Sequence, residues 1–322
     1  MKAFVYDFKN SAKMRWEEKF VVAQPGKGEV LVKVIGAGLN PVDFKVPEIP
    51  PMRWGRDLKP VGSELSGKVE AVGEGVRNFQ VGDLVWGFTS GSLAPKVITN
   101  ESKLFKIPET CDSVGAGAWA IAACTALQSL RAGGCIGGES AKKILILGAS
   151  GGVGHLAVQI AKALNPKGTE VVGVCSTKNL DFVKSLGATE VFDYTRSDFD
   201  LPKTVKNCDM VFDCVTPVFK YEPIAMQCLK PNGQYVQITP NGPLDLIRSA
   251  ISGLIGFNIQ RRDFHFVMCK PIQKDMEQIS TLFKDGKIKL HISKKIPFGD
   301  AVPKALEEMK TFKTVGKIVV TM

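Results

Sequence analysis

The sequence contains no long hydrophobic run, and this absence bears first on membranes. A helix that spans a bilayer needs roughly 20 consecutive apolar residues, and the most apolar stretch, at residues 144–147, is far shorter. The first residues, MKAFVY, are typical of a strand, and no charged segment followed by an apolar one precedes them. We therefore expect no transmembrane segment, no cleaved secretory signal and a cytoplasmic protein.

Patterns for disulfides and metals are also missing. The 8 cysteines are scattered and none belongs to a Cys-x-x-Cys pair. In a chain of 322 residues without a secretory signal, this favours reduced and mostly buried thiols. The 3 histidines, His155, His265 and His291, share no ligand spacing. We therefore expect neither a zinc ribbon nor a catalytic zinc ion.

The charge is unbalanced, but the basic residues are not clustered. The chain has 42 Lys and Arg against 32 Asp and Glu, a net charge of +10, which favours anionic partners. Aromatic residues do not alternate with the basic ones as they do in proteins that stack single-stranded nucleic acid. We expect a solvated basic surface and a small-molecule substrate, with no nucleic-acid partner.

The chain has 44% apolar residues, enough for a globular protein of about two domains. Its first third is β-like and rich in turns, and residues 115–130 favour one or two helices. From residue 143 the pattern becomes an alternation of buried strands and helices, which predicts a doubly wound parallel sheet in an α/β protein. The strands are expected at 143–147, 170–175, 190–193, 209–213, 234–238 and 264–268, and the helices at 153–164, 179–186 and 221–229.

The β-rich flanks are expected to form one discontinuous domain with the parallel sheet inserted in it. We place that domain at residues 1–122 and 269–322, and the nucleotide-binding domain at residues 123–268. After the sheet, residues 274–284 have the spacing of an amphipathic helix, and residues 316–320 that of a terminal strand.

A glycine-rich loop lies directly between the first buried strand and its helix. It runs Gly148-Ala149-Ser150-Gly151-Gly152-Val153-Gly154. Glycines permit a tight turn and let backbone N–H groups approach a pyrophosphate, and the following helix presents its positive N-terminal dipole to the phosphates. In this β-α-β context the loop predicts a dinucleotide site, although Ala149 replaces the first glycine of Gly-x-Gly-x-x-Gly. The residues expected to bind the cofactor here are Ser150, Gly151, Gly152, Val153 and Gly154.

The end of the second strand indicates which dinucleotide binds. NAD sites place an acid about 20 residues after the loop to bind the ribose hydroxyls. Here the chain instead has Ser176, Thr177 and Lys178. Two hydroxyls and a cation suit a 2′-phosphate, so the sequence predicts NADP(H). Ser176 would alternatively serve only as a helix cap.

Several further motifs resemble one family along nearly the whole chain. They are Asn40-Pro41-Val42-Asp43, the glycine-rich segment 62–73, Val81-Gly82-Asp83, the loop with Ala157-Val158-Gln159 after it, the segment 182–188, Asp193-Tyr194 and Gly316-Lys317-Ile318-Val319. In order and spacing they resemble the medium-chain dehydrogenase/reductase superfamily, and more closely its zinc-free quinone oxidoreductase (zeta-crystallin-like) branch. Within that branch the likeness is greatest to the chloroplast-envelope members of plants.

The resemblance implies a GroES-like catalytic domain, a Rossmann domain for NADP(H), and commonly a dimer. It places Asn40 beside the nicotinamide ribose and Thr125 against the cofactor. It also implies that an organellar envelope is a possible location, beside the cytoplasm. The other implied cofactor contacts are Tyr194 with Ser176 and Lys178 at the 2′-phosphate; Thr216, Ile238, Thr239, Phe266 and Val267 around the ribose and carboxamide; and Lys317.

The resemblance implies hydride transfer from NADPH to a quinone, and two alternatives stay open. One is an alkenal or enoyl-thioester reductase, and the other is an NADPH-bound RNA-binding or scaffold protein without catalysis. Where zinc-dependent relatives have ligands, this chain has Asn40 to Asp43 and Gly62-Ser63-Glu64. Asn40 is the candidate catalytic residue, as a hydrogen-bond donor, and Lys45 is a weaker one. We assign no general acid.

Overall fold

The computed structural model of the chain describes residues 1–7, 13–45, 58–137, 142–165, 167–215, 222–239 and 264–322. The chain divides into two compact units. The first unit comprises Met1–Cys124, Pro271–Asp285 and Leu290–Met322, and the second comprises Thr125–Lys270 and Gly286–Lys289. The first unit is therefore discontinuous in sequence.

The first unit is built on mostly antiparallel sheets. Its strands are β1 (Ala3–Asp7), β2 (Lys13–Glu17), β3 (Glu29–Gly38), β4 (Leu58–Pro60), β5 (Glu64–Val72), β6 (Leu84–Phe88), β7 (Lys96–Asn100), β8 (Leu104–Lys106), β15 (Ile292–Pro297) and β16 (Lys317–Thr321). The larger sheet has the order β15-β16-β3-β5-β6-β8, with β7 also paired to β3, and the smaller one has the order β2-β1-β4. The strand β16 pairs with β3, so strands that are far apart in sequence contribute to one sheet.

Alternating burial fixes the register of these strands. In β3, Val30, Val32 and Val34 belong to the core, and Lys33 between them is exposed. A slip of one residue would turn the valines to the opposite face, so the hydrophobic pattern specifies a single pairing. The helices of this unit are α1 (Val42–Lys45), α7 (Gln273–Lys284) and α8 (Ala301–Met309), with 3-10 turns at Glu101–Lys103 and Gly115–Ala118.

The second unit is a parallel sheet with crossover helices. Its strands are β9 (Lys143–Leu147), β10 (Glu170–Cys175), β11 (Glu190–Asp193), β12 (Cys208–Asp213), β13 (Leu229–Gln237) and β14 (Phe264–Phe266). The order β11-β10-β9-β12-β13-β14 is the 3-2-1-4-5-6 order of dinucleotide-binding sheets. The predicted α/β class, with a GroES-like β-rich part and a doubly wound sheet, is confirmed.

The described helices of this unit follow the apolar spacing in the sequence. They are α2 (Ala120–Ala132, whose first turn belongs to the first unit), α3 (Gly154–Leu164), α4 (Leu180–Ser185), α5 (Leu201–Thr204) and α6 (Glu222–Ala225), with 3-10 turns at Thr177–Asn179 and Met226–Cys228. In α3, every residue from Gly154 to Ala161 is buried. In the part of the chain that the structure describes, no helix combines the length and the apolar character needed to cross a bilayer.

Three details differ from the sequence prediction. The helix predicted at 221–229 is α6 followed by a 3-10 turn, and β13 already begins at Leu229, which pairs with Cys208. The helix α8 and the strand β15 were not predicted. The strand β15 has the polar sequence ISKKIP and carries little periodic signal, whereas α8 buries Val302, Ala305, Leu306 and Met309 at helical spacing. Residues 46–57, in the first third that was expected to be β-like and rich in turns, lie outside the described residues.

Candidate functional site

The carboxyl ends of strands β9 to β14 form one edge of the parallel sheet. In register, Cys175 of β10 lies opposite Asp193 of β11, and Leu147 of β9 lies opposite Asp213 of β12. The residues that follow these strands are therefore neighbours along this edge. They include the glycine loop, the segment 176–178, Tyr194, Ile238, Thr239 and Val267. The sheet order reverses between β9 and β12, where ligands of such sheets bind.

The glycine loop is a tight turn that only small residues allow. Gly148 has φ of 74°, in the left-handed region that favours glycine, and its N–H donates to Val174 O at 3.1 Å. A Cβ on Gly154 would lie 2.2 Å from Gly148 O and 2.9 Å from Ala149 Cα. The first turn of α3 therefore packs directly on the strand end because residue 154 has no side chain.

The N-terminus of α3 suits a phosphate group. Val153 precedes the helix and makes no side-chain capping bond, and His155 directs its Nδ1 to Gly151 O, at 2.8 Å, on the helix side of the loop. Orphan N–H groups at a helix start, together with the helix dipole, attract an anion. This cradle, which a Cβ at residue 154 would disrupt, fits the pyrophosphate of a dinucleotide.

The end of β10 carries the residues predicted to select the dinucleotide. Ser176 is half-buried, and Thr177 and Lys178 are exposed. Among the described residues, Lys178 has no ion-pair partner. Asn179, which the sequence analysis did not single out, is 9% exposed and donates from Nδ2 to Ser150 Oγ at 3.1 Å and to Ser176 Oγ at 3.2 Å. One amide thus ties the glycine loop to the end of the second strand.

An acid does lie at this edge, one strand further out. Asp193 accepts hydrogen bonds from the hydroxyls of Thr177 at 2.5 Å and Thr195 at 2.6 Å. These hydrogen bonds hold the pKa of Asp193 below its ordinary value. The hydroxyl of Thr177 is thereby occupied by Asp193, while the Tyr194 side chain is 53% exposed.

The other half of the edge contains a buried carboxyl group, that of Asp213, paired with the hydroxyl of Tyr235. The Tyr235 hydroxyl donates to Asp213 Oδ2 at 2.6 Å, and Val215 N donates to Asp213 Oδ1 at 2.8 Å. Burial raises the pKa of both Asp213 and Tyr235. Of the residues predicted around the ribose, Phe266 is buried, Ile238, Thr239 and Val267 are half-buried, and Thr216 lies outside the described residues.

Two predicted residues of the first unit meet in a buried polar network. Lys317 is 4% exposed, and its Nζ donates to Asn40 Oδ1 at 2.5 Å, to Leu39 O at 2.8 Å and to Glu64 Oε1 at 3.0 Å. Asn40 Nδ2 donates to the same Glu64 oxygen at 2.7 Å and to Gly38 O at 3.3 Å. We call Asn40, Glu64 and Lys317 the lysine network. Every polar atom of the Asn40 side chain is engaged within it.

A second acid lies beside this network. Asp43 is 1% exposed, accepts from the Ser63 hydroxyl at 2.6 Å and accepts from Asn40 N at 2.8 Å. Neither Asp43 nor Glu64 was assigned a role from the sequence. No local pattern distinguishes them, because Asp43 lies in the four-residue helix α1 and Glu64 begins β5, whose sequence ELSGKVEAV also contains exposed charged residues.

The remaining predicted residues lie elsewhere. Thr125 is on α2 and is 5% exposed. Lys45 directs its ammonium to the ring of Phe312, at 5.9 Å from the centroid. His265 bonds Gln234 Oε1 at 2.8 Å. Among the described residues, no group of three His, Cys, Asp or Glu side chains is arranged to hold a metal ion.

Comparison with family models gives two matches. The model described as "Alcohol dehydrogenase GroES-like domain" matches residues 26–163, and the one described as "Zinc-binding dehydrogenase" matches residues 186–320. The first match begins just before β3 and ends within α3, and the second begins after α4 and ends within β16.

Whole-chain relatives agree with these matches. The chain is 34% identical over 315 residues to a chloroplast envelope quinone oxidoreductase homolog of Arabidopsis thaliana, covering 93% of this chain and 91% of that protein. It is 31% identical over 319 residues to the trans-enoyl reductase pgmF of Aspergillus terreus, covering 92% and 86%.

A solved structure extends the agreement to the fold. The quinone oxidoreductase from Coxiella burnetii superposes with a TM-score of 0.80 at 26% identity, covering 100% of this chain and 99% of that one. The resemblance found in the sequence is confirmed. The chain is an oxidoreductase with a Rossmann-type nucleotide-binding sheet, and it belongs to the medium-chain dehydrogenase/reductase superfamily, in the quinone oxidoreductase branch.

Proposed function

We propose that this protein is an NADPH-dependent reductase that delivers a hydride to a quinone without a metal ion. The observation that carries the proposal is the edge formed by Gly148–Gly154 and Ser176 to Lys178, a phosphate cradle followed by hydroxyls and a lysine without an ion-pair partner among the described residues. The relative from Arabidopsis thaliana named as a quinone oxidoreductase homolog supports the acceptor class.

The preference for NADPH rests on charge at the second strand. Lys178 is exposed and would neutralise a 2′-phosphate, as an ammonium commonly does for phosphates. The nearby carboxylate of Asp193 is 6% exposed and bound by two threonine hydroxyls, so it is poorly placed to bind ribose hydroxyls. In this proposal Ser176, Lys178 and Tyr194 hold the 2′-phosphate.

The remaining contacts divide by the part of the cofactor that they serve. Ser150, Gly151, Gly152, Val153 and Gly154 hold the pyrophosphate. Thr125, Ile238, Thr239, Phe266 and Val267 flank the ribose and the carboxamide, and Thr216 is proposed with them. Asn40 and Lys317 border the nicotinamide ribose. When bound, the nicotinamide supplies the hydride, and these residues orient it.

A quinone suits a site without a metal. When a quinone accepts a hydride, its own ring stabilises the resulting anion, so the protein needs to supply little beyond orientation. No ligand set for a metal is present among the described residues, and the chemistry proposed does not call for one.

One observation favours a second candidate. The relative from Aspergillus terreus is named as a trans-enoyl reductase, at 31% identity across 92% of this chain. An enal or enoyl thioester accepts a hydride at its β-carbon and places more charge on one oxygen than a quinone does. A reductase of α,β-unsaturated carbonyls is therefore the alternative, and the net charge of +10 would favour an anionic thioester such as an acyl-CoA.

The experiment is a panel of acceptors in an assay of NADPH oxidation at saturating cofactor. The panel contains 1,4-benzoquinone, 9,10-phenanthrenequinone, a medium-chain enal and a crotonyl thioester, and each is repeated with NADH. We expect the highest kcat/KM for a quinone, with NADPH preferred. A higher kcat/KM for the enal or thioester would establish the alternative.

A third outcome tests whether the protein is an enzyme at all. If NADPH binds tightly and no acceptor is reduced, the result favours a non-catalytic role. A binding protein for RNA would then show an affinity that falls steeply with salt. The homodimer also stays a prediction, and light scattering can test it. A location in the cytoplasm or at an organellar envelope stays a prediction as well.

A further inference from the structure

The carboxyl group of Asp43 is held in one orientation by two donors. Its Oδ2 accepts from Asn40 N at 2.8 Å, and its Oδ1 accepts from the Ser63 hydroxyl at 2.6 Å. Asp43 is 1% exposed, whereas Ser63 is half-buried. Ser63 is therefore the more exposed of the two residues joined by this hydrogen bond.

Asp43 lacks a cationic partner at close range. Lys317, whose charge acts on Asp43, donates its hydrogen bonds to Leu39 O, Asn40 and Glu64 instead. In the described residues Asp43 takes part in no ion pair. A buried acid without a cation favours its protonated, neutral form. The group is thus arranged to store a proton.

The titratable groups around Asp43, which lies in α1, come from three strands. They are Tyr6 on β1, Glu64 on β5 and Lys317 on β16. Burial raises the pKa of Asp43 to about 7, Glu64 raises it further, and the hydrogen bonds from Ser63 and Asn40 together with the charge of Lys317 oppose the rise. Asp43 can therefore release and regain a proton near neutral pH.

We propose that Ser63 is a catalytic proton donor for the reduction of α,β-unsaturated carbonyls, and that Asp43 acts through it by restoring its proton. The inference rests on the proposed function, which puts a carbonyl acceptor next to the nicotinamide ribose that Asn40 borders. Asn40 and Ser63 bind the two oxygens of one carboxyl group, so a donor at Ser63 is close to that ribose contact.

The proton balance of the step is complete. The β-carbon of the enone receives the hydride with its two electrons, the nicotinamide is oxidised, and the carbonyl oxygen becomes an enolate. The Ser63 O–H bond breaks and an O–H bond forms on the enolate oxygen. The Ser63 oxygen then takes the proton from Asp43 Oδ1, and the Asp43 carboxylate takes a proton from water. The enol released returns to the ketone or aldehyde in solution.

The hydrogen bond between the two residues supports both states. When Asp43 is ionised, Ser63 donates to Oδ1. When Asp43 is protonated on Oδ1, its hydroxyl donates to Ser63 Oγ, and the Ser63 proton is free to point to a substrate. Oδ2 is not the protonated atom, because it accepts from Asn40 N at 2.8 Å.

The other candidate donors are already engaged. Asn40 Nδ2 donates to Glu64 and to Gly38 O, and its Oδ1 accepts from Lys317. Lys45 lies against Phe312. Tyr6 is 3% exposed and burial raises its pKa, so it would hold its proton too firmly.

The kinetic test compares Ser63→Ala with a matched control, Ser66→Ala. Ser66 is a buried serine of β5 whose hydroxyl has no hydrogen-bond partner within the described residues. We expect Ser63→Ala to lower kcat for an enal about 100-fold, which is in the range of general acid catalysis. The same variant should lower kcat for a quinone less than about threefold, because a quinone needs no proton donor when it accepts the hydride. Ser66→Ala should match the wild type, and Ser63→Thr, which keeps the hydroxyl, should retain most activity.

A pH profile tests Asp43 itself. In the wild type, kcat for the enal should fall as pH rises above about 7, because the donor chain loses its stored proton. Asp43→Asn keeps a donor to Ser63 but has no acidic proton, so kcat should be about tenfold lower and independent of pH in this range. An unchanged profile in Asp43→Asn would overturn the role of Asp43.

A readout without turnover completes the test. The infrared carbonyl band of a protonated carboxyl group should be present at pH 6 in the cofactor-free wild type and Ser66→Ala, and smaller by one group in Asp43→Asn. Equal bands in all three proteins would show that Asp43 is ionised and would overturn the proposal.

The activity assay has its own contrary outcomes. If Ser63→Ala loses quinone and enal activity equally, Ser63 has a structural role and the proposal is wrong. If the wild type reduces no acceptor, the proposed function fails, and the proton donor fails with it.

Discussion

The two polar sites of this chain are constructed in opposite ways. The nucleotide edge of the second unit is open, formed by backbone N–H groups and half-buried or exposed side chains such as Ser176 and Lys178. The lysine network of the first unit is closed, and its three side chains are at most 4% exposed. The nucleotide edge has polar groups available for a ligand, whereas the polar groups of the lysine network hydrogen-bond one another and their neighbours.

This difference has an energetic consequence. At the open edge, water replaces a missing side chain, so a substitution mainly changes the affinity for the ligand. In the closed network no water is at hand, so removing one partner leaves the others buried and unpaired. Substitutions in the two sites should therefore separate into effects on binding and effects on stability.

The largest expected effect is that of Lys317→Met. It removes the ammonium that binds Glu64, Asn40 and Leu39 O while keeping most of the side-chain volume. Glu64, fully buried, would be left without a cation, so the free energy of unfolding should fall by about 3–5 kcal/mol. Denaturant unfolding followed by circular dichroism measures it.

The control is an ion pair on the surface of the same unit. Lys96 pairs with Glu70 at side-chain exposures of 41% and 39%, and Lys96→Met should cost less than about 1 kcal/mol. The double variant Glu64→Gln with Lys317→Met should recover part of the loss, because it removes both charges. If Lys317→Met and Lys96→Met lowered the free energy of unfolding equally, the buried lysine network would be worth no more than an exposed ion pair, which would contradict the comparison.

The next effect concerns pH and Asp43. Its pKa lies near 3.8 when the chain is unfolded and at about 7 when it is folded, so between these values the folded state binds more protons. The stability that this group contributes is therefore full below about pH 4 and falls as pH rises to about 7, by on the order of 4 kcal/mol in all and about 3 kcal/mol between pH 5 and pH 8. Asp43→Asn should remove this decline, measured as the unfolding free energy at pH 5 and pH 8.

Asp83 provides a control with the opposite sign. Burial acts against it, but the Gln80 amide and the Lys106 ammonium hold the pKa of Asp83 below its ordinary value. Its contribution is thus present above that pKa and lost in acid, so Asp83→Asn should leave the decline between pH 5 and pH 8 intact. A decline that survives in Asp43→Asn would show that another group titrates there.

The two sites also differ in how well the sequence predicted them. The glycine loop at the nucleotide edge was predictable because its residues are contiguous: the loop from Gly148 to Gly154 lies between a recognisable strand and helix, and the parallel sheet follows from the alternation of elements. Local glycine chemistry needs no knowledge of distant partners. Asn179 and the pair of Asp213 with Tyr235 were missed there, since nothing in their sequence positions reveals which side chains they reach.

The lysine network was not predictable in the same way. Lys317 and Asn40 are separated by 277 positions, and their meeting depends on the pairing of β16 with β3, which no local pattern specifies. The resemblance singled out both residues separately, as cofactor contacts. It did not indicate that they bind each other, nor that Glu64 and Asp43 complete the surroundings.

At the open edge, Lys178→Ala should change binding and leave stability unchanged. The side chain is exposed and unpaired among the described residues, so its removal should raise the Kd for NADPH about tenfold by loss of a charge-assisted contact. The Kd for NADH should stay the same. Fluorescence titration measures both, and Lys184→Ala, an exposed lysine of α4, is the control. A parallel loss for NADH would mean that Lys178 does not meet the 2′-phosphate.

The smallest effect, that of Asn179→Ala, tests whether the open edge has an internal support of its own. Asn179 is 9% exposed and joins Ser150 of the loop to Ser176 of the second strand. Losing two long hydrogen bonds should cost about 1 kcal/mol of stability and, because the loop is then less well positioned, raise the Kd for both NADPH and NADH about threefold. Asn165→Ala is the control, since among the described residues Asn165 bonds only its own helix, at Ala161 O. A loss of affinity confined to NADPH would instead place Asn179 at the 2′-phosphate, beside Lys178, and make the amide a ligand rather than a support.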